Sequence, residues 1–186
     1  LLLLILVITL IRNRAQQQQA LRGANPKVTR ILKRFASLRK YKVLTDVRLK
    51  VGEKAYPIDH ILIGIFGVLL VDSNPAQGEL YGSLDDKQWV LKCQEKKVEF
   101  PNPLLQLEDQ MEALRTVFSK SGIYNIQMDA LLVFGENSQK ALSLYLPSSP
   151  RWMRRKALKR HLSAAKFSTE NGVDMEKLQR AIVSHL

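Results

Sequence analysis

The sequence predicts an α/β protein built as a mixed central sheet flanked by helices. Two observations carry that expectation. Helix-periodic segments alternate with short β-branched, apolar runs in the order helix, several strands, helix, strand, helix. The 186 residues are 46% hydrophobic and 25% charged, a composition that excludes wholesale disorder and suits one domain of ordinary size with a short appendage.

Taken in order, Pro26 suits the first turn of a helix. Val28, Ile31, Leu32, Phe35 and Leu38 then recur at helical spacing, with Lys27, Arg30, Lys33, Arg34 and Lys40 on the other side. Residues 41–49 read as a strand, and Gly52 marks a turn. Residues 57–72 hold two apolar runs broken at Gly64–Ile65–Phe66–Gly67, which is a hairpin signal. Their near-continuous apolar character places them at the centre of a sheet. Residues 78–84 and 87–93 read as a second pair turning near Asp85–Asp86. Asn102–Pro103 opens a long helix whose core stripe is Leu104, Leu107, Met111, Leu114 and Phe118, and Ser121–Gly122 stops it. Residues 126–134 read as a buried strand and 141–146 as a shorter one. Residues 151–162 read as a strongly basic helix, and Asp174 caps a last helix through Ile182.

Charge is distributed unevenly. Residues 1–50 carry twelve Lys and Arg against one acid, Asp46, and residues 151–186 carry nine against three. The stretch between is mildly acidic. Basic ends around an acidic centre suit a grip on a polyanion, either nucleic acid or lipid headgroups. The opening LLLLILVITLI has ten apolar residues in eleven and is followed by Arg12 and Arg14. It is shorter than the roughly 20 residues a span requires. Because the chain does not begin with methionine, the run is read as the visible part of a single-pass transmembrane helix. Its basic flank places everything downstream in the cytoplasm. The expected organisation is a transmembrane and stalk helix over 1–20, an α/β domain over 22–146 and a basic helical extension over 147–186. A single cysteine, Cys93, and three scattered histidines exclude a disulfide framework and a zinc-finger spacing.

The hairpin brings chemistry together. If it turns between Ile65 and Phe66, Asp59 falls opposite Asp72, and directly opposed side chains lie about 4.5–5.5 Å apart. Two facing carboxylates repel unless a positive charge lies between them. Mg²⁺ or Mn²⁺, held by these two and by phosphate oxygens, meets that need. Asn74, two residues beyond Asp72, shares its face. A strand-end aspartate standing in solvent is the plainer alternative.

The run from Ile58 to Gly82 (IDHILIGIFGVLLVDSNPAQGELYG), then Trp89 and FPNPLLQ at 100–106, resembles the nuclease-related domain (NERD) family. Weaker similarity covers residues 22–146. The resemblance implies a restriction-endonuclease-like fold, with an Asp and a Glu-x-Lys as metal-binding and catalytic residues. It puts Asp59 at the family aspartate, a metal ligand, and Asp72 at the family glutamate. Gln106 falls at the family glutamine near the active site. His60 follows the aspartate and is read either as a core residue or as one that supports a metal ligand from behind, while Trp89, Gly78 and Gly82 serve packing and turns. Two positions depart from the pattern. Asn74 replaces the lysine that orients the attacking water, and Ala24–Asn25 replaces a Gly-Glu. Asparagine donates a hydrogen bond but brings no positive charge; Lys87 or Lys92 on the following strands are the candidates to supply one.

Phosphate-loop and serine- or cysteine-nucleophile motifs are absent. The functional expectation is therefore a membrane-anchored, metal-dependent nucleic-acid phosphodiester hydrolase with a degenerate site. The alternative is a non-catalytic module that keeps the fold and binds nucleic acid or a partner. The basic segment 151–162 offers phosphate contacts, a lipid contact or simply a solvated surface.

Overall fold

The computed structural model describes residues 23–135 and 142–186. Among the described residues there are four α-helices: α1 (Pro26–Ser37), α2 (Pro103–Lys120), α3 (Arg155–Leu162) and α4 (Met175–Val183). The strands are β1 (Lys42–Val51), β2 (Lys54–Gly64), β3 (Gly67–Asn74), β4 (Gly78–Tyr81), β5 (Gln88–Cys93), β6 (Lys96–Pro101), β7 (Met128–Phe134), β8 (Leu142–Tyr145) and β9 (Trp152–Arg154). The expected span over 1–20 lies outside the described residues. Among the described residues no helix is long and apolar enough to cross a membrane.

The chain is mixed α/β, but the single sheet expected from the sequence is instead two. One runs β1-β2-β3-β7-β9 and the other β6-β5-β4-β8. The break follows Asn74, whose Oδ1 accepts the Ala76 N–H at 2.9 Å across Pro75, which has no N–H to extend a ladder. Gly78 at φ +109° then starts the second sheet, so close to the Lys92 carbonyl that no side chain fits. Both sheets mix orientations. The β1-β2-β3 meander is antiparallel, whereas β7 runs parallel to β3 and β9 parallel to β7. The β3-to-β7 connection carries β4, β5, β6 and α2.

Helices cover both faces of the five-stranded sheet. On one side Val28, Leu32 and Phe35 of α1, with Leu158 and Leu162 of α3, pack on Leu62, Leu69, Val71, Leu131 and Val133. On the other, Leu104, Leu107, Leu114 and Phe118 of α2 and Leu178 and Ile182 of α4 meet Ile61, Ile63, Leu70 and Leu132. That second core also takes in Leu80, Trp89 and Phe100 of the second sheet. Burial on both faces explains why β2 and β3 read as continuous apolar runs.

Helix starts match their residues. Asn25 caps α1, accepting the Lys27 N–H at 2.9 Å, so the residue that departs from the family's acid has a structural task. Asn102 caps α2 and donates Nδ2 to the carbonyls of Leu84 and Asp86 at 2.9 and 2.8 Å. One stripe residue differs from expectation. Met111 packs against the core only partly buried, and Gln110 beside it is the fully enclosed residue, because a polar partner awaits it.

The segment read as one basic helix, 151–162, begins as β9, and only 155–162 is helical. Arg151 donates to the Leu104 carbonyl and to Glu108, and Arg154 to the Leu142 carbonyl. Both arginines are thus tied to the protein. Beyond it, a 3₁₀ turn at Ala165–Ser168 buries Phe167 in an edge-on array with Phe35, Phe66 and His161. Asn171 then donates its N–H to the Ile65 carbonyl at 2.9 Å and its Nδ2 to the Phe66 carbonyl at 2.8 Å. The β2–β3 turn is capped from the C-terminal segment.

The left-handed position of that turn falls on Gly67 (φ +123°), where a Cβ would run into the Gln127 carbonyl oxygen. Gly67→Ala is expected to destabilise the protein by about 3 kcal/mol, because backbone strain and a backbone clash combine. Gly172→Ala, also at positive φ (+64°) but in open space, should cost only about 1 kcal/mol. Urea unfolding of both variants measures the difference.

Candidate functional site

The pairing of β2 with β3 follows the register expected from the turn, from Gly64↔Gly67 to His60↔Val71. One step further the pattern changes. Asp72 Oδ1 accepts the Asp59 N–H at 3.1 Å, and Asp59 Oδ2 accepts the Ser73 N–H at 2.8 Å. Each strand thus offers a side-chain carboxylate where a ladder would offer a backbone carbonyl. The strands separate there, and the gap becomes the floor of a pocket. Its volume is about 490 Å³, and its lining includes Asp59, Asp72, Asn74, Gln106, Gln110, Asp46 and Arg48. All four residues selected from the sequence (Asp59, Asp72, Asn74 and Gln106) are therefore brought together. Lys87 and Lys92 do not line the pocket; Lys92 is paired with Glu79 at 3.5 Å.

Gln110 is the residue that sequence reasoning missed. It lies one turn beyond Gln106, is 4% exposed, and donates Nε2 both to Asp72 Oδ2 and to the Pro57 carbonyl, each at 2.7 Å. That pair of acceptors fixes its amide orientation: with oxygen and nitrogen exchanged, an amide oxygen would face a carboxylate. The signal was a glutamine at a core position of an otherwise apolar stripe. Asn74 is 4% exposed, and its Oδ1 is committed to the Ala76 N–H. It terminates the strand and brings no charge into the pocket.

Electrostatics mark Asp59 as the unusual group. Its pKa is pushed up to about 7, mainly by burial, then by the negative charge of Asp72, against the opposing hydrogen bond from the Ser73 N–H; Asp46 adds a smaller upward push. Without a cation, Asp59 is part-protonated at neutral pH. His60, next in sequence, points to the opposite face and is fully buried. Its Nδ1–H donates to the Val71 carbonyl at 3.0 Å, and Nε2 takes the Thr29 hydroxyl at 2.8 Å. Burial lowers its pKa, so it is neutral and ties β2 to α1, the first of the two roles expected for it.

The donor set can be tested against metal chemistry. Among the described residues no group of three or more His, Cys, Asp or Glu is placed to hold a metal. Two carboxylates, one of them held oriented by Gln110, suit a hard divalent cation that completes its shell with water and phosphate oxygens.

A family model described as nuclease-related domain matches residues 23–135, more than half of the chain. No curated protein and no solved structure matches it.

Because the folded pKa of Asp59 is raised, protonation favours the folded state. The stabilisation is complete below the unfolded value near 4 and is lost as pH rises through about 7. Asp59→Asn keeps an acceptor for the Ser73 N–H and removes the charge. It is expected to gain about 1–3 kcal/mol relative to the parent at pH 8 compared with pH 4.5, measured by denaturant unfolding at both. Gln110→Ala strands Asp72 and the Pro57 carbonyl and should cost about 2–3 kcal/mol in the same assay.

Proposed function

We propose, from the premise that this chain belongs to the nuclease-related domain family, that the pocket is a metal-dependent site for nucleic-acid phosphodiester hydrolysis with a weakened catalytic apparatus. The observation that carries the reading is the pair Asp59 and Asp72, two carboxylates turned toward each other at a separating strand end on the floor of the pocket. Like charges held that close call for a cation. Asp59 and Asp72 are the residues that would hold Mg²⁺ or Mn²⁺. The ion would supply Lewis-acid stabilisation of phosphoryl charge.

The remaining roles belong to the chain. Gln110 keeps Asp72 oriented, as an outer-shell partner does for a ligating carboxylate. Gln106 lies on the pocket wall with an amide to position a phosphate or base. Asn74 stands where the family has lysine and provides at most its amide donors. Arg48, exposed on β1 and lining the same pocket, is the nearest replacement for the missing positive charge in the lining. An endonuclease-like topology agrees with β3 and β7 running parallel beside the β1-β2-β3 meander. A membrane anchor over 1–20, with this domain on the cytoplasmic side, belongs to the same reading.

One observation favours a second reading. Asn74 Oδ1 is locked into the turn that ends β3, so the position is adapted to structure rather than to charge stabilisation. On that reading the chain keeps the nuclease fold and binds nucleic acid or a partner without cutting.

The purified full chain, incubated with single- and double-stranded DNA and RNA in Mg²⁺ or Mn²⁺, is expected to cleave slowly. Asp59→Ala/Asp72→Ala should abolish cleavage, and Asn74→Lys should raise it by about 10²-fold, the order of one preorganised charge-stabilising donor. Cleavage only by Asn74→Lys would mean a metal site without catalytic power. No cleavage by either, with nucleic acid still bound, establishes the second reading. Metal binding is read independently: Mg²⁺ should move the Asp59 carboxyl titration, followed by NMR, downward from about 7.

A further inference from the structure

A second cleft adjoins the carboxylate pocket, and the two share one residue, Asp46. This cleft is lined by Thr29, Arg30, Lys33 and Arg34 of α1 and by Thr45 and Asp46 of β1. Arg30, Lys33 and Arg34 are exposed and fall at i, i+3 and i+4, so they form one face. Across its twelve residues α1 has no acid, and among the described residues none of these three cations is ion-paired. Three long cations set side by side, with Asp46 as the single acid in the lining, hold a positive potential over the cleft.

We infer that this cleft is the approach track for the substrate chain. A nucleic-acid backbone lies along α1 with consecutive phosphates on Arg30, Lys33 and Arg34, passes Asp46 and reaches the Asp59–Asp72 pocket, where Arg48 meets the next phosphate. The inference rests on reading that pocket as a phosphodiester site. The continuation of this basic lining past Asp46 into a pocket floored by carboxylates favours a polymer over a bilayer: a strand follows such a path, whereas a flat anionic surface does not. Asp46 is the one charge in the lining of the first cleft that opposes an anion. It has φ +53°, a conformation that asparagine adopts as readily as aspartate, so Asp46→Asn removes its charge and leaves the backbone alone.

Binding without chemistry tests the track separately from catalysis. Fluorescence anisotropy of labelled 20-nucleotide single-stranded DNA, single-stranded RNA and duplex DNA is measured with the full chain in EDTA, across a salt series. Arg30→Gln/Lys33→Gln/Arg34→Gln is compared with Lys54→Gln/Lys96→Gln/Lys97→Gln, which removes the same charge from exposed strand ends elsewhere. The α1 variant should lose roughly 10- to 100-fold in affinity. Its slope of log K against log salt should fall by about 2 for single strands, as expected for three lost phosphate contacts. The control should change neither by a comparable amount, and Asp46→Asn should tighten binding several-fold. Thermal melts of these surface variants should match the parent. Equal losses in both triple variants, an unchanged α1 variant, no binding by the parent, or indifference to Asp46→Asn would each overturn the track. Leu38, 74% exposed just past α1, makes vesicles the necessary rival arm. Stronger α1-dependent binding to phosphatidylserine vesicles than to any oligonucleotide would also overturn it. Loss of cleavage with the track intact would instead count against the proposed function alone.

Discussion

The site exists because one backbone ladder ends on side chains. Along β2 and β3 each inward N–H finds a carbonyl until His60 and Val71, and then Asp59 and Asp72 take over as acceptors. Orphaned N–H groups at a buried strand end are costly, and a carboxylate satisfies one more strongly than a carbonyl does. Here the satisfaction has a cost of its own: two negative groups face each other beside an apolar core. Gln110 relieves part of the conflict by donating to Asp72, and protonation of Asp59 relieves more. The same constraint positions α2, whose buried face must deliver an amide at the correct turn, and ends β3 where Asn74 redirects the chain into the second sheet.

Adjacent residues in β2 divide two tasks between two faces. His60 is turned toward α1, neutral and fully bonded, fastening the helix that carries the unpaired cations. Asp59 is turned toward α2 and the pocket. The alternation of a strand thus separates a structural bracket from a chemical group by a single peptide, and a change at either is felt on both sides of the sheet.

Much of this was legible in the sequence because it depends on local pattern. The Gly64–Gly67 turn set the register that aligned Asp59 with Asp72. Asn102–Pro103 marked the start of α2, and glycines beside Trp89 marked close packing, with Gly82 lying where a Cβ would strike the indole. What could not be read depends on tertiary context. Three residues of helical composition become β9 because β7 offers a free edge. A single sheet becomes two because Asn74 and Pro75 turn the chain at that point. Gln110 interrupts an apolar stripe of α2, and only the carboxylate across the core explains its burial.

The turn between β2 and β3 is closed by Asn171, and Phe167 fills the apolar space beneath it, although both lie well beyond residue 135, where the family match ends. The family match and the packed unit therefore have different boundaries. The matched segment holds the carboxylate pocket, and a later stretch of chain supplies the lid on its core. A piece cut at the family boundary would leave two turn carbonyls without donors and an aromatic cluster open to water. Relatives that share residues 23–135 but differ afterwards must seal that corner by some other means.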